Sequence, residues 1–446
     1  MLIAGYFLVR YIGINFSLSS IFLMLLLLLH SAAYFYYVNV WGPKGGYLDF
    51  FLEAARGQPV LPTLTAALGV MFVLVCVGMR LADLVGGTNG RKMRVDIERW
   101  KLPEPYRDAA DAPRIALITS LSLILVLIPV AVFDNQISNV LSYFGSFERE
   151  ADKIDLRRDL GGSSAYLYNL LASNFLPFVA FCSLASRRAS RRPLGPLIWL
   201  FLIMVLLSKL ALLSKGPVAI FIIQVFVLRK MGSSLQLPVK TLVTIAAVAI
   251  GAFIAIVWLV NLGGYEGDLI EDILIYRTLM IPNESLVEYF SAIPYSLDFS
   301  WGQQLSWVAG LFRSEPRLPT FWLVGEVHRG SLGSTTTAMF IADAWADFAW
   351  FGIVFFSLFS GFYLRSLDIR LLARGRPTIW KLGGLALGHF GIYVAMNTSF
   401  MTALLTGGLL MVIPFAIWLP KWLGLKHSAS HYDTRGALLK NPARPR

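Results

Sequence analysis

The chain has 446 residues, of which 56% are hydrophobic, and its mean hydropathy is +0.63. Soluble domains contain about 45–50% apolar residues, so an ordinary soluble enzyme of this length is excluded and a polytopic membrane protein is predicted. The net charge of +12 does not indicate nucleic-acid binding, because the basic residues cluster in short loops between apolar runs, as topology-setting loops do. Cys76 and Cys182 lie inside apolar runs and indicate neither a disulfide framework nor a metal site.

Apolar runs along the chain predict an all-α polytopic membrane protein with about ten transmembrane helices, a range of about nine to twelve being compatible with the pattern. The runs cover residues 17–40, 60–84, 114–133, 164–184, 194–213, 217–228, 240–260, 350–364, 382–396 and 400–419. The sixth run is short for a span, and residues 1–16 are predicted to form an interfacial helix or the first turns of the first span.

These runs divide the chain into four predicted regions. Residues 1–260 contain seven spans and a polar loop at 134–163, and residues 261–349 form one large loop with short helices. Residues 350–420 contain the last three spans, and residues 421–446 form a disordered basic tail. A segment as polar as 261–349 must lie outside the bilayer or line a cavity, because unpaired backbone groups are costly in lipid.

The charge distribution predicts the orientation. With the amino terminus inside, the inner side holds 27 of the 39 Lys and Arg residues and 8 of the 27 acidic residues, which gives +19 inside and −7 outside. Basic loops are retained in the cytoplasm, so both termini are predicted to be cytoplasmic and the loops at 134–163 and 261–349 external.

A small set of cations on the acidic outer side are candidate ligands of phosphate groups, because guanidinium groups bind diphosphates bidentately and stay charged. The set comprises Arg157, Arg158, Lys215, Arg277, Arg313, Arg317 and Arg329. The alternative is that they are ordinary salt-bridge partners of the external acids. Lys215 follows a span directly and precedes Gly216-Pro217, which breaks the helix.

Acidic residues and one histidine in the large loop are candidates for a general base. Asp343 and Asp347 are spaced i, i+4 and therefore share one helix face, where they either solvate the helix end or supply the base. Glu288 and His328 are further candidates, and Glu326 is an additional possibility. No DxD pair or histidine pair lies outside the spans, so a mechanism without a metal or cofactor is expected.

The segment 281–293 shows helical spacing in the large loop. Leu286, Val287 and Phe290 fall on one face, and Glu284 and Glu288 fall on the other. This pattern predicts an amphipathic helix that lies on the membrane surface or caps the helix bundle.

Several of these motifs together resemble the oligosaccharide repeat-unit polymerases of Wzy type, which include O-antigen and exopolysaccharide polymerases. The matching motifs are Arg157-Arg158-Asp159-Leu160-Gly161-Gly162, Ser214-Lys215-Gly216-Pro217, Arg277 with Glu284 and Glu288, Gly325-Glu326, Gly333-Ser334-Thr335-Thr336 and Ala342-Asp343-Ala344-Trp345-Ala346-Asp347-Phe348. The resemblance covers most of the chain at the level of its arrangement of spans, loops and motifs.

The resemblance implies a GT-C-like membrane glycosyltransferase of the bacterial inner membrane. Its substrate would be an undecaprenyl-diphosphate-linked oligosaccharide, flipped to the outer face, and the growing chain would move to a sugar hydroxyl of the next lipid-linked unit. Membrane lipids, a chain-length regulator and a flippase are the implied partners, and no cofactor is implied.

Two other classes of membrane protein have a similar arrangement of spans and loops. An O-antigen ligase would transfer the glycan to a different acceptor, and a non-catalytic transporter or flippase would carry out no chemistry. A transporter is expected to place ionisable residues in the middle of its spans, where Lys209 is the main candidate in this chain. Because the candidate site charges gather at the outer face rather than in the middle of the spans, the pattern favours an enzyme.

Overall fold

A computed structural model describes residues 1–102, 121–122, 171–189, 195–210, 215–261, 269–303, 318–330, 336–373 and 377–422. Within these residues the protein is helical and has no strand; one isolated bridge joins Asn15 and Gln236. The prediction of an α-helical protein is confirmed for this part of the chain. The polar loop 134–163 and the tail from residue 423 lie outside the described residues, as do nearly all of the third predicted span.

The helices in chain order are as follows. The first part of the chain contains α1 (Leu2–Ile12), α2 (Leu18–Lys44), α3 (Tyr47–Glu53), α4 (Val60–Val85) and α5 (Gly90–Arg99). The middle contains α6 (Leu176–Ala189), preceded by a π-helical turn at Leu171–Phe175, then α7 (Gly195–Leu210), α8 (Lys215–Met231) and α9 (Val239–Asn261). The last part contains α10 (Leu269–Met280), α11 (Ile281–Ala292), α12 (Thr320–Arg329), α13 (Phe340–Ala373), α14 (Ile379–Ala395), α15 (Phe400–Leu405) and α16 (Leu419–Trp422), the last preceded by a π-helical turn at Pro414–Trp418.

Three of the described helices are long and apolar enough to cross a membrane. They are α2 with 27 residues, α4 with 26 and α13 with 34. These helices correspond to the predicted first, second and eighth spans and indicate a membrane protein. Helix α13 begins at Phe340, about three turns before the predicted start of the eighth span at residue 350, and Asp343 and Asp347 lie in this first part of the helix.

The tenth predicted span, 400–419, is not one continuous helix. Helix α15 ends at Leu405, and the chain turns through Gly407 and Gly408 before helical structure resumes. Gly408 has a φ of 77°, a left-handed conformation that favours glycine over other residues. The apolar pattern alone did not reveal this interruption.

Helices α4 and α13 pack closely and in parallel. A Cβ atom on Gly78 of α4 would overlap the carbonyl oxygen of Leu358, and a Cβ atom on Gly361 of α13 would overlap that of Val75. Small residues at such positions let two membrane helices approach backbone to backbone. The parallel orientation agrees with the predicted alternation, in which the second and eighth spans run in the same direction.

A buried charged network joins the same helices near one end. Arg365 donates from Nε to Asp83 Oδ1 at 2.8 Å and from Nη2 to Asp83 Oδ2 at 3.2 Å, and its side chain is fully buried. Asp368 accepts hydrogen bonds from the backbone N–H groups of Leu18 and Ser19, both at 2.8 Å. We call this the Leu18 end of the spans and the opposite end, at the C-terminus of α2 and the N-termini of α4 and α13, the Lys44 end.

Helix α11 is buried on all sides, so its predicted position on the membrane surface is wrong, whereas the alternative, a helix that caps the bundle, stays a prediction. Every residue from Pro282 to Ala292 is buried, on the polar face as well as the apolar one. The helix contacts α3, α4, α12 and α13. Its carboxylates are tolerated there because neighbouring elements provide hydrogen-bond donors and a cation, which buried charges require.

Candidate functional site

The Lys44 end holds a cluster of polar side chains organised by α11. Glu284 and Glu288 are one helical turn apart and therefore lie on the same face of this buried helix. Helix α12 adds His328 and Arg329 to that face, and the segment before α13 adds Thr336. The cluster thus joins three chain segments that are separated in the sequence.

Glu288 is fully paired. Arg329 Nη2 donates to its Oε1 at 2.7 Å, Thr336 Oγ1 donates to its Oε2 at 2.5 Å, and the Glu288 side chain has no exposed surface. The Arg329 side chain keeps 36% of its surface exposed, so the guanidinium group can contact a ligand while it holds Glu288. An acid with both oxygens occupied is better suited to orient the arginine than to accept a substrate proton.

His328 supports the cluster rather than facing open space. Its Nε2 lies 2.9 Å from the Glu288 carbonyl oxygen and 3.2 Å from Ser291 Oγ, and its ring packs edge-on against Phe51. Burial lowers the pKa of His328, so the neutral imidazole is favoured. A neutral ring that donates from Nε2 to a carbonyl oxygen has no free basic nitrogen on that side.

Glu284 differs from Glu288 in being incompletely paired. Tyr276 Oη donates to its Oε1 at 3.3 Å, whereas its Oε2 is buried without a hydrogen-bond partner among the described residues. Burial, reinforced by the negative charge of Glu288, raises the pKa of Glu284 to about 7, although the Tyr276 hydrogen bond and Arg329 oppose the shift. A carboxyl group that titrates near neutral pH is suited to accept or donate a proton during a reaction.

Glu284 and Arg329 line one cavity at the Lys44 end, with a volume of about 720 Å³. Its aromatic walls include Tyr47, Phe50 and Tyr276, while Ser285 and Thr337 add hydroxyl groups. Cavities of this size with few polar groups on aromatic walls are typical of binding sites for small molecules. Arg329 is the more accessible of the two charged residues in this lining, and Glu284, 4% exposed, lies beside the cavity with one oxygen unpaired.

The raised pKa of Glu284 predicts a pH-dependent stability. Because the folded protein holds this proton more tightly than the unfolded chain, stability is greatest below the ordinary pKa of 4.5 and falls as the pH rises to about 7. The expected loss is about 3 kcal/mol, since one pKa unit corresponds to about 1.4 kcal/mol. Thermal unfolding of purified protein at about pH 5 and pH 8 measures it.

Glu284→Gln is the matched variant for this measurement, because glutamine keeps the shape of the side chain and does not titrate. We expect the difference in stability between the two pH values to be smaller in Glu284→Gln than in the wild type. An unchanged difference would mean that another group carries the pH dependence.

Asp343 and Asp347 share a face of α13, as predicted, but they lie outside the lining of this cavity. Tyr289 Oη donates to Asp343 Oδ1 at 3.2 Å, and Ser300 Oγ donates to Asp347 Oδ1. The role of either acid as the general base stays a prediction.

Asp347 lies where α13 breaks. Phe348 and Ala349 leave the helical conformation, with a φ of 50° at Ala349. The backbone N–H groups of Ser300 and Trp301 donate to the carbonyl oxygens of Ala346 at 2.9 Å and Asp347 at 3.0 Å. These bonds satisfy carbonyl groups that the break leaves without helical partners.

The predicted cations are only partly described. Arg277, at the end of α10, is exposed and forms no salt bridge with a described carboxylate. Lys215 begins α8, but its side chain lies outside the described part, and so do Arg157, Arg158, Arg313 and Arg317. Arg329 is therefore the predicted cation that the described structure brings to a buried carboxylate.

Among the described residues, no three His, Cys, Asp or Glu side chains are grouped so as to hold a metal ion. The expectation of a mechanism without metal or cofactor stays a prediction. Sequence analysis placed Glu284 on a polar helix face but did not select it as a site residue. The signal that could have selected it is the i, i+4 spacing of Glu284 and Glu288.

We compared the chain with protein-family models, curated proteins and solved structures, and no match was found. The geometry of the Lys44 end and the sequence pattern therefore carry the functional argument.

Proposed function

We propose that the protein is a membrane glycan polymerase that joins undecaprenyl-diphosphate-linked oligosaccharide units at the outer face of the bacterial inner membrane. The observation that carries the proposal is the cavity of about 720 Å³ at the Lys44 end, which both Arg329 and the incompletely paired Glu284 line. A glycan diphosphate needs a cation for the phosphates and a base for the attacking hydroxyl, and both types of group are present.

The proposed reaction transfers a sugar chain between two lipid-linked units. The bond between the anomeric carbon and the diphosphate oxygen of the growing chain breaks, and the lipid diphosphate leaves with the bonding electrons. The acceptor hydroxyl forms the new bond to that carbon, and its proton passes to Glu284. Arg329, with Arg277 and the other predicted cations as further contributors, stabilises the charge that develops on the leaving diphosphate.

The remaining parts of the architecture belong to the same proposal. About ten spans of GT-C-like arrangement would enclose the isoprenoid, and both termini would be cytoplasmic. The three described spans support a membrane protein, and the charge split of +19 against −7 supports the orientation.

A topology reporter tests the orientation. Gly57 lies between α2 and α4 at the Lys44 end, and Gly87 lies between α4 and α5 at the Leu18 end; both have positive φ and open space around them. We expect a reporter that works only outside the cytoplasm to be active when fused after Gly57 and inactive when fused after Gly87. Activity in the reverse pattern would invert the proposed orientation.

Deletion of the gene followed by a gel of surface polysaccharide tests the function. A polymerase is expected to leave single-unit capping and no ladder. Loss of all capping would indicate a ligase, and accumulation of lipid-linked units on the inner side would indicate a flippase. Polymer formation by the purified protein from the lipid-linked unit alone would separate catalysis from transport.

A further inference from the structure

The Leu18 end carries a second polar cavity, on the opposite side of the spans from the proposed active site. It has a volume of about 480 Å³ and is lined by Arg10 of α1 and by Arg91 and Arg94 of α5. Among the described residues that line it, Glu98 is the one carboxylate, so their charged side chains carry a net charge of +2. The proposed reaction at the Lys44 end uses none of these residues.

Arg94 is tied to α1, and the carboxylate of Asp83 is engaged with other partners. Arg94 Nη1 donates to the Arg10 carbonyl oxygen at 3.3 Å, which ties α5 to α1. The nearby carboxylate of Asp83 is already occupied, because it accepts from Arg365 and, at 2.6 Å, from Tyr11 Oη. Asp83 is therefore engaged elsewhere and does not neutralise the three arginines.

Apolar side chains project outward beside this cavity. On α1, Tyr6 is 71% exposed and Val9 is 53% exposed, and at the end of α4, Leu84 is 70% exposed and Val85 is 77% exposed. Helices α1 and α4 contact each other, and these exposed side chains make up the outward apolar surface of the pair, with Val85 also lining a separate cavity beside α13. Because α4 is a candidate membrane span, hydrocarbon chains would cover this surface.

We propose that the cavity lined by Arg10, Arg91 and Arg94 binds the phosphodiester headgroup of an anionic phospholipid, whose acyl chains lie against the outward surface of α1 and the end of α4. The guanidinium groups match the phosphate oxygens, and the apolar surface matches the acyl chains. A free phosphate ion would use the arginines but would leave the apolar surface uncovered.

Native mass spectrometry of the delipidated full-length protein in neutral detergent tests the site, with phosphatidylglycerol, phosphatidylcholine and inorganic phosphate as the three probes. The test variant is Arg91→Gln with Arg94→Gln. The matched control is Lys92→Gln with Arg99→Gln, which removes the same charge from the same helix at exposed positions outside the cavity. A further variant, Glu98→Gln, removes the opposing charge.

We expect the wild type to bind phosphatidylglycerol in preference to phosphatidylcholine. The Arg91→Gln, Arg94→Gln protein should bind it about 100-fold more weakly, since each lost hydrogen bond between a guanidinium group and the phosphate contributes about tenfold. The control pair should stay within about twofold of the wild type. Glu98→Gln should bind more tightly, a gain that misfolding would not produce.

Three results would overturn the proposal. Equal weakening in the test and control pairs would show that net charge alone attracts the lipid. If phosphatidylcholine bound as tightly as phosphatidylglycerol, the cavity would not recognise an anionic headgroup. If inorganic phosphate bound as tightly as phosphatidylglycerol, the cavity would be a site for a free anion.

Discussion

Glu284→Gln is expected to lower the rate of polymer formation by about 10²–10⁴-fold, the range usual for loss of a general base. Glutamine keeps the shape of the buried side chain but cannot take the proton of the acceptor hydroxyl. In the wild type, the rate should rise with pH through about 7, because Glu284 must lose its proton before it can act as the base. The measurement is polymer formation by purified protein from a lipid-linked unit, with binding of that unit measured separately.

Two variants make this experiment decisive. Glu326→Gln removes an exposed carboxylate from the helix that carries Arg329, and we expect it to have near-normal activity. Asp343→Asn removes one of the two acids that the sequence pattern favours. If Asp343→Asn loses activity while Glu284→Gln keeps a near-normal rate, the base is Asp343 and the cavity assignment is wrong.

Gly78→Leu and Gly361→Leu are each expected to prevent formation of the folded protein. At both positions even a Cβ atom would overlap a backbone carbonyl of the opposite helix, and a backbone cannot turn away as a flexible side chain can. Alanine at either position should force α4 and α13 apart and cost about 1–3 kcal/mol or more, as overpacking does in other cores. Folded yield from detergent extraction and thermal unfolding measure both effects.

Gly69→Ala is the matched control on the same helix. A Cβ atom at Gly69 meets nothing within 4 Å, so alanine there should leave stability unchanged or raise it by up to about 1 kcal/mol through helix propensity. A similar loss of stability in Gly69→Ala and Gly78→Ala would mean that glycine is needed for helix flexibility rather than for close packing.

The arrangement at the break in α13 shows where sequence patterns lose information. The run 340–373 is apolar enough to predict a helix, and the i, i+4 spacing of Asp343 and Asp347 correctly placed both acids on one face. The break at Phe348 and Ala349 carries no proline or glycine. The N–H groups of Ser300 and Trp301, more than forty residues earlier, satisfy the freed carbonyls, and a Cβ atom at Gly352 would overlap the carbonyl oxygen of Ala344 across the break.

Helix α11 shows the same limit for the candidate site. Its alternation of apolar and acidic residues is the pattern of a surface helix, and only the folded chain shows that both faces are buried. The acids can be buried because Arg329 and Thr336 reach Glu288 and because Tyr276 reaches Glu284. None of these partners can be assigned from local spacing.

The sequence by itself determined the helical membrane class, the first two spans and the set of charged residues from which a site could be built, because hydropathy and helical period are local properties of the chain. The tertiary structure decided which charges meet. It paired Arg329 with Glu288, left one oxygen of Glu284 without a hydrogen-bond partner beside a cavity, and gathered Arg10, Arg91 and Arg94 at the opposite end of the spans. The physical reason is that burial and pairing energies depend on neighbours brought together from distant segments, which no local pattern specifies.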